Sequence, residues 1–410
     1  MPSMSEQIKK VFVAMSGGVD SSVTAALLKE GGFDVYGVHI KMWSDPDIPC
    51  NFKEDRYDAM RVAAKLDIPF ETWDFTKEYK EAVVNYMIRE YGEGRTPNPD
   101  VMCNQHIKFG IFLASALERG ADFVATGHYV RRVPPGMSLK DTQKFPSEEF
   151  FSVSSSLVSR TAQLHARSSE KGLLKTCPLP ISLLKANDTN KDQSYFLWTL
   201  NQNQLQHCLF PIGEYTKPEV RELAKKFNLP TAEKEESQGI CFIGEIDIRD
   251  FLKKYIPVKP GKVLTTSGKI VGEHEGLNFF TMGQREGLGI GGGIPYYVVS
   301  KDFINNALIV AEGPYDEKLF KNELEVTDIN WISGKEPKFP FRCEARIRYR
   351  QPVQRCRVER QVTSNKRQGL EACRASHVTC RFDEPQRAVT PGQSVVFYKG
   401  EEMLGGGIII

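Results

Sequence analysis

Cys103 and Cys241 stand in surroundings that suggest thiol chemistry rather than core packing alone. Cys103 lies in TPNPDVMCNQHIKFG, which reads as a polar loop running into a helix that begins near His106. Cys241 lies in KEESQGICFIGE, just after a Gln-Gly turn. A helix N-terminus and nearby cations lower a thiol pKa, and His106 and Lys108 could both contribute at Cys103. The thiolate is the form that attacks and that carries sulfur. The two cysteines are 138 positions apart, so only the fold could bring them together.

A second chemical group sits near the N-terminus. In VFVAMSGGVDSSVTAALL a strand is followed by a Gly-Gly turn and a helix. Such a turn lets backbone N–H groups approach an anion, and the helix dipole favours negative charge. Ser16, Ser21 and Ser22 add hydroxyls, and Asp20 is placed to help hold Mg2+ against phosphates. No Gly-Lys-Ser/Thr follows, so this is not the Walker loop. Gly17-Gly18 alone would read as a tight turn, but the whole string S-G-G-x-D-S-S is more specific. Asn98-Pro99-Asp100 alone reads as a plain turn.

These residues need a scaffold. KVFVAM, DVYGVHIKMW, PFETWDF and ADFVATGHYV read as strands. They alternate with helices at DSSVTAALLKEGG, 54–66, 77–91 and IKFGIFLASALERG. That rhythm predicts a doubly wound parallel sheet. Residues 133–185 break it with Ser and Pro and read as an insertion. Thr216 and Glu219 then open a helix with a capping-box pattern. From about residue 255 short strands and turns predict a small β-rich domain and a C-terminal β-barrel. The expected domains are 1–212, 213–328 and 329–410.

The 410-residue chain is 40% hydrophobic and 26% charged, which suits a globular fold. Its net charge of +2 says little about nucleic acid, but residues 340–390 hold 12 Lys/Arg against 5 Asp/Glu. On the strand CEARIRYR, Arg346, Arg348 and Arg350 would share one face, as an RNA-facing row or an ordinary solvated face. The sequence shows neither a secretory h-region nor a membrane-length apolar run, so reduced thiols are expected. Cys356, Cys373, His377 and Cys380 have a metal-like look, but their spacing is irregular, and ordinary strand and loop cysteines are the expectation.

SGGVDSS resembles the phosphate loop of the ATP pyrophosphatase superfamily, with its adenine nucleotide alpha hydrolase-like fold. GRTPNPDVMCNQHIKFG, ATGHYVR, NKDQSYFLWTL, FPIGEYTKPEVRELAKK, ESQGICFIGE, FTMGQREGLGIGG and VTPGQSVVFYKGEEMLGGG resemble the tRNA 2-thiouridylase family, in family order. The resemblance implies ATP as a substrate, bound by Ala14, Met15, Ser16, Gly17, Gly18, Val19, Asp20 and Ser21, with Met42 and Gly127. It implies that ATP adenylates the C2 oxygen of a wobble uridine. It implies that a persulfide on Cys241 then delivers sulfur, with Cys103 as the partner nucleophile that can form a disulfide with Cys241.

The same resemblance makes Asp100 a catalytic acid or base. It places Asn98, Pro99 and Asp100 at the target base. It matches His128, Lys191, Asp192, Gln193, Arg348, Tyr349 and Gln393 to tRNA contacts. It further implies a persulfide donor protein, a monomer and no membrane. WSDPDIPCNFKED and FYKGEEMLGGG look more like the animal mitochondrial branch, so the mitochondrion is expected, with the cytoplasm as alternative. Two rival readings are an ammonia-using ligase of the same superfamily, which needs neither cysteine, and a tRNA-binding protein without catalysis.

Overall fold

The computed structural model describes residues 8–47, 52–133, 180–235, 248–291, 293–361 and 377–410. Cys241, Cys373 and most of the expected insertion lie outside the described residues.

The N-terminal part is built on a five-stranded parallel sheet, as the alternation of strands and helices predicts. Its order is Phe70–Asp74, Asp34–Lys41, Lys10–Ala14, Phe123–Ala125, Cys208–Leu209. Both faces are covered, so the first strand is apolar after Lys10. Val11 and Val13 enter the core beneath the helices Val19–Glu30, Phe52–Leu66 and Lys217–Lys226, whereas Phe12 enters the opposite core. That opposite core receives Val83, Met87, Val101, Phe109 and Phe112. The chain leaves Lys10–Ala14 toward one sheet edge and later returns to its other side at Phe123–Ala125. This reversal opens a crevice at the carboxyl ends of the two strands, where open α/β sheets bind ligands.

A four-stranded sheet follows, in the order Tyr296–Asp302, Ala307–Glu312, Gly261–Thr265, Ile270–His274. Its last two strands form a hairpin through Ser267-Gly268, and Gly268 supplies φ +89°.

The C-terminal strands close into a six-stranded barrel. Phe320–Trp331, Val378–Arg387, Gln354–Arg360, Phe341–Arg346, Ser394–Lys399 and Glu402–Ile409 pair in turn, and the last pairs again with the first. Alternation sends Val326, Ala345, Val358, Val378, Val395 and Phe397 inward.

One expectation changes here. Residues 180–185, assigned to the insertion, include the strand Ser182–Leu184, which joins Arg131–Val133 to the barrel at Glu402–Met403. Cys343, Cys356 and Cys380 lie inside the barrel without disulfides, with the Cys343 and Cys356 sulfurs 3.5 Å apart. Cys380 is buried, while His377 lies half-buried just before that strand. Among the described residues, no group of three His, Cys, Asp or Glu is placed to hold a metal.

Candidate active site

The glycine turn sits at the carboxyl end of Lys10–Ala14, in the crevice. Gly17 has φ +83° and packs on the Asp55 carbonyl, where a Cβ would collide. Gly18 is the N-cap of Val19–Glu30 and makes no side-chain capping bond. The first N–H groups of such a helix have no intrahelical acceptor and suit an anion. Ser21 Oγ accepts from the Ser16 N–H at 3.2 Å, and the Ser21 and Ser22 hydroxyls donate to the Gly18 carbonyl at 3.1 and 2.8 Å. Both serines therefore brace the turn from within.

Gly127 follows Phe123–Ala125 and presses its backbone against the same helix start. A Cβ there would lie 2.8 Å from the Ser21 nitrogen. Met42 leaves Asp34–Lys41 half-buried against the core. Three of the expected nucleotide positions thus follow the carboxyl ends of three neighbouring strands. Replacing Gly127 by Val forces these two backbones apart. Overpacking of this kind costs about 1–3 kcal/mol, so Gly127→Val should lower the stability by about that much in a urea titration.

Asp20 is engaged by the protein. Its carboxylate accepts from Lys217 Nζ at 2.7 and 2.9 Å and from the Tyr129 hydroxyl at 2.7 Å. The sequence reading missed both partners. A lysine at the first helical position opposes the helix dipole, and that mismatch was the available signal for a carboxylate partner. One carboxylate already paired with a lysine does not make a protein-held Mg2+ site.

Cys103 is placed differently from expectation. The helix begins at Pro99, not near His106, with Asn98 as N-cap accepting from the Val101 N–H. It continues through a run of wide i→i+5 turns over Cys103–Ile111 into Phe112–Glu118. Such wide turns cluster at functional positions. Cys103 is therefore one turn inside a helix and 4% exposed, rather than in a loop. Only residues 119–122 separate this helix from Phe123–Ala125, so the helix runs antiparallel to the sheet. Phe109 packs on His128 at the exit of Phe123–Ala125, with ring centroids 5.8 Å apart.

Asp100 is open to solvent yet hemmed in by protein, and this partial desolvation raises its carboxyl pKa against the pull of Lys108. Burial lowers the pKa of His106, so it is largely uncharged at neutral pH and cannot supply the cation expected beside Cys103.

Matches to known proteins agree with this geometry. Residues 9–147 and 176–245 match the model described as tRNA methyl transferase HUP domain. Residues 249–312 match its PRC-barrel domain, and 321–409 the aminomethyltransferase beta-barrel domain. Over 403 residues the chain is 44% identical to tRNA-specific 2-thiouridylase MnmA 2 of Geobacillus kaustophilus, covering 98% of this chain and 94% of that protein. MnmA of Acinetobacter baylyi is 43% identical over 411 residues, 98% of this chain and 97% of its own. The chain belongs to the tRNA-specific 2-thiouridylase family. These relatives are bacterial and give no support to a mitochondrial branch.

Within this thiouridylase fold Gln393, one of the residues matched to tRNA, reaches the turn before Asn98, and several others are engaged in the protein. Asp192 is 3% exposed and Arg346 8%, and they form an ion pair at 3.0 Å. Asp192 also accepts from the Ala186 and Ser194 N–H groups. His128 is buried, hydrogen-bonded to Thr126, and kept neutral by burial. Neither Asp192 nor His128 is open to RNA in this arrangement. The expected arginine row is corrected in the same way. Arg346 is buried against Asp192, Arg348 donates to protein oxygens, and only Arg350 is exposed. Gln193 accepts from the Tyr129 N–H at 2.9 Å. Tyr349 lies against Phe196, with centroids 4.6 Å apart, and the Phe196 carbonyl accepts from Asn104. Lys191 is half-buried on the same segment.

Proposed function

We propose that this chain is a tRNA 2-thiouridylase that uses ATP to activate the C2 oxygen of a wobble uridine and replaces it with sulfur. What supports this reading is a glycine turn at the carboxyl end of the first strand, in a chain 43–44% identical to named thiouridylases along its length.

The glycine turn, from Ala14 to Ser21, cradles the triphosphate with backbone N–H groups, between Met42 and Gly127. Lys217 neutralises Asp20 and keeps that carboxylate from repelling the phosphates. Mg2+ comes with ATP, since it keeps most of its shell from phosphate and water. The uridine must leave the anticodon stack to be reached. Asn98 and Asp100 flank the opening and read its edge, with Pro99 fixing the turn. Tyr349, Lys191 and Gln193 offer RNA-facing surface around it.

The C2 oxygen attacks the α-phosphorus and pyrophosphate departs. AMP then leaves far more readily than the bare carbonyl oxygen would. The terminal sulfur of a Cys241 persulfide attacks C2 and AMP departs, which leaves sulfur bridged between Cys241 and the base. Cys103 attacks the Cys241 sulfur, frees the 2-thiouridine and closes a Cys103–Cys241 disulfide. Dividing one hard displacement into activation and attack is the logic of covalent catalysis. A separate protein loads the persulfide, and the enzyme acts as a monomer. A bacterial-type chain of this kind fits the cytoplasm better than the mitochondrion first expected.

Asp100 serves as the acid/base. Its raised pKa means that it loses its charge as pH falls, sooner than an ordinary aspartate does. A base of this kind works only when ionised, so the acidic limb of kcat should lie at higher pH than an ordinary aspartate would give. Asp100→Asn should flatten that limb and slow turnover by about 10²- to 10⁴-fold.

The direct test is incubation with ATP, magnesium, a persulfide donor and unmodified tRNA, followed by nucleoside mass spectrometry. The expected result is 2-thiouridine formed only with ATP, with one AMP and one pyrophosphate per sulfur. ATP consumption with ammonia incorporated instead would replace this reading with the ligase, and tRNA binding without ATP turnover with the non-catalytic protein.

A further inference from the structure

The turn before Asn98 is held by three parts of the chain at once. From the barrel, Gln393 Nε2 donates to the Thr96 and Pro97 carbonyls at 2.9 and 3.0 Å. The Thr96 N–H donates to the Pro391 carbonyl at 2.9 Å. Gly392, with φ +91°, comes so close that a Cβ would lie 2.9 Å from the Thr96 oxygen. From the central part, the Thr281 and Thr96 hydroxyls are 3.2 Å apart. Arg348 ties those two parts together, donating to the Met282 carbonyl, the Ala388 carbonyl and the Thr390 hydroxyl.

The grip is rigid on the barrel side. Gln393 N–H donates to the Thr390 carbonyl, and the Gly392 N–H and Gln393 carbonyl both bond Ile409 on the last strand. It is local on the helix side. Pro97 is followed directly by the N-cap Asn98, then Pro99 and Asp100, with Cys103 one turn on. Proline at 97 and 99 leaves this stretch little freedom of its own. A shift of the barrel turn therefore becomes a shift of the helix start.

We propose that Gln393 and Arg348 are positioning residues, which set the place of Asp100 and Cys103 by locking the barrel and the central part onto the turn at Thr96–Pro97. This rests on the thiouridylase reading for what Asp100 and Cys103 do. It differs from the expectation that Gln393 and Arg348 touch tRNA, because their donors are directed at protein oxygens. It also gives the barrel a role in catalysis: tRNA held by the barrel reaches a reaction site whose geometry the barrel already sets.

The two roles separate in kinetics. A contact to tRNA sets tRNA affinity, whereas a group that places catalytic side chains sets kcat. Displacing such a site by about 1 Å can cost about 10²-fold in rate. Gln393→Ala should lower kcat at least about 10-fold and leave KM for tRNA within about two-fold. Arg348→Met should do the same and leave the salt dependence of tRNA binding unchanged, where a lost phosphate contact would reduce that slope by about one. Thr281→Val, which keeps side-chain shape, should move kcat in the same direction by less.

Amide hydrogen exchange without tRNA supplies a readout independent of the reaction. Val101–Asn104 should exchange faster in Gln393→Ala than in wild type, while strand amides in Ser394–Lys399 stay protected. A raised KM for tRNA with unchanged kcat and unchanged exchange at 101–104 would overturn the proposal and return both residues to RNA contact. If wild type makes no 2-thiouridine, the thiouridylase reading fails, while faster exchange at 101–104 still shows the lock.

Discussion

Cys241→Ser should make no 2-thiouridine while still releasing pyrophosphate from ATP in the presence of tRNA. Serine keeps the size and the hydrogen-bonding group but cannot carry a persulfide, because the sulfur–sulfur bond has no oxygen counterpart of use here. The activation half of the reaction depends on the glycine turn and the base-reading edge, and these do not involve residue 241. Sulfur transfer should therefore fall by at least about 10³-fold, as when the nucleophile of an enzyme is removed. Adenylated tRNA should accumulate or decay to AMP, visible with α-labelled ATP. Cys103→Ser should differ in kind: sulfur would reach the base, yet the bridge to Cys241 would persist, and a covalent protein–tRNA species sensitive to dithiothreitol would appear on gels. Sulfur transfer surviving in Cys241→Ser would remove the persulfide assignment.

Arg346→Ala should be the most destabilising single change in the barrel. It leaves the Asp192 carboxylate buried without its cation, at 2% side-chain exposure. Removing one partner of a buried pair costs about 3–5 kcal/mol, because the remaining charge has lost its water and its counter-charge. The Arg346 guanidinium also lies 5.0 Å from the Tyr398 ring, so packing is lost with the charge. Urea titration should show the loss. The double variant Arg346→Met with Asp192→Asn should recover much of it, since neither partner then holds a charge and Asn can still accept from Ala186 and Ser194. A variant with wild-type stability and weakened tRNA binding would instead restore the RNA-facing arginine row.

The parallel sheet and its crevice were legible because buried strands such as KVFVA are apolar on both faces and helices punctuate them. The capping box at Thr216 and Glu219 was legible for a similar reason: its signal is local, and the structure shows both of its hydrogen bonds. Arg346 was misread because alternation tells which face a side chain takes but not what covers that face, and Asp192 is 154 positions away. Cys103 was read as a loop residue because Pro97, Asn98 and Pro99 announce a turn; Pro99 in fact starts the helix, the position where a proline is tolerated. The Asp20–Lys217 pair and the Gln393 grip span 197 and 297 positions, so no local pattern could reveal them.

The central claim is that uridine C2 loses its oxygen to AMP. The measurement that reaches it most directly uses tRNA carrying ¹⁸O at the C2 carbonyl of the wobble uridine. After one turnover with unlabelled ATP and a persulfide donor, the AMP is analysed by mass spectrometry. The account predicts that the ¹⁸O appears in the AMP phosphate, one atom for each 2-thiouridine formed. Unlabelled AMP beside newly formed 2-thiouridine would contradict activation at that oxygen.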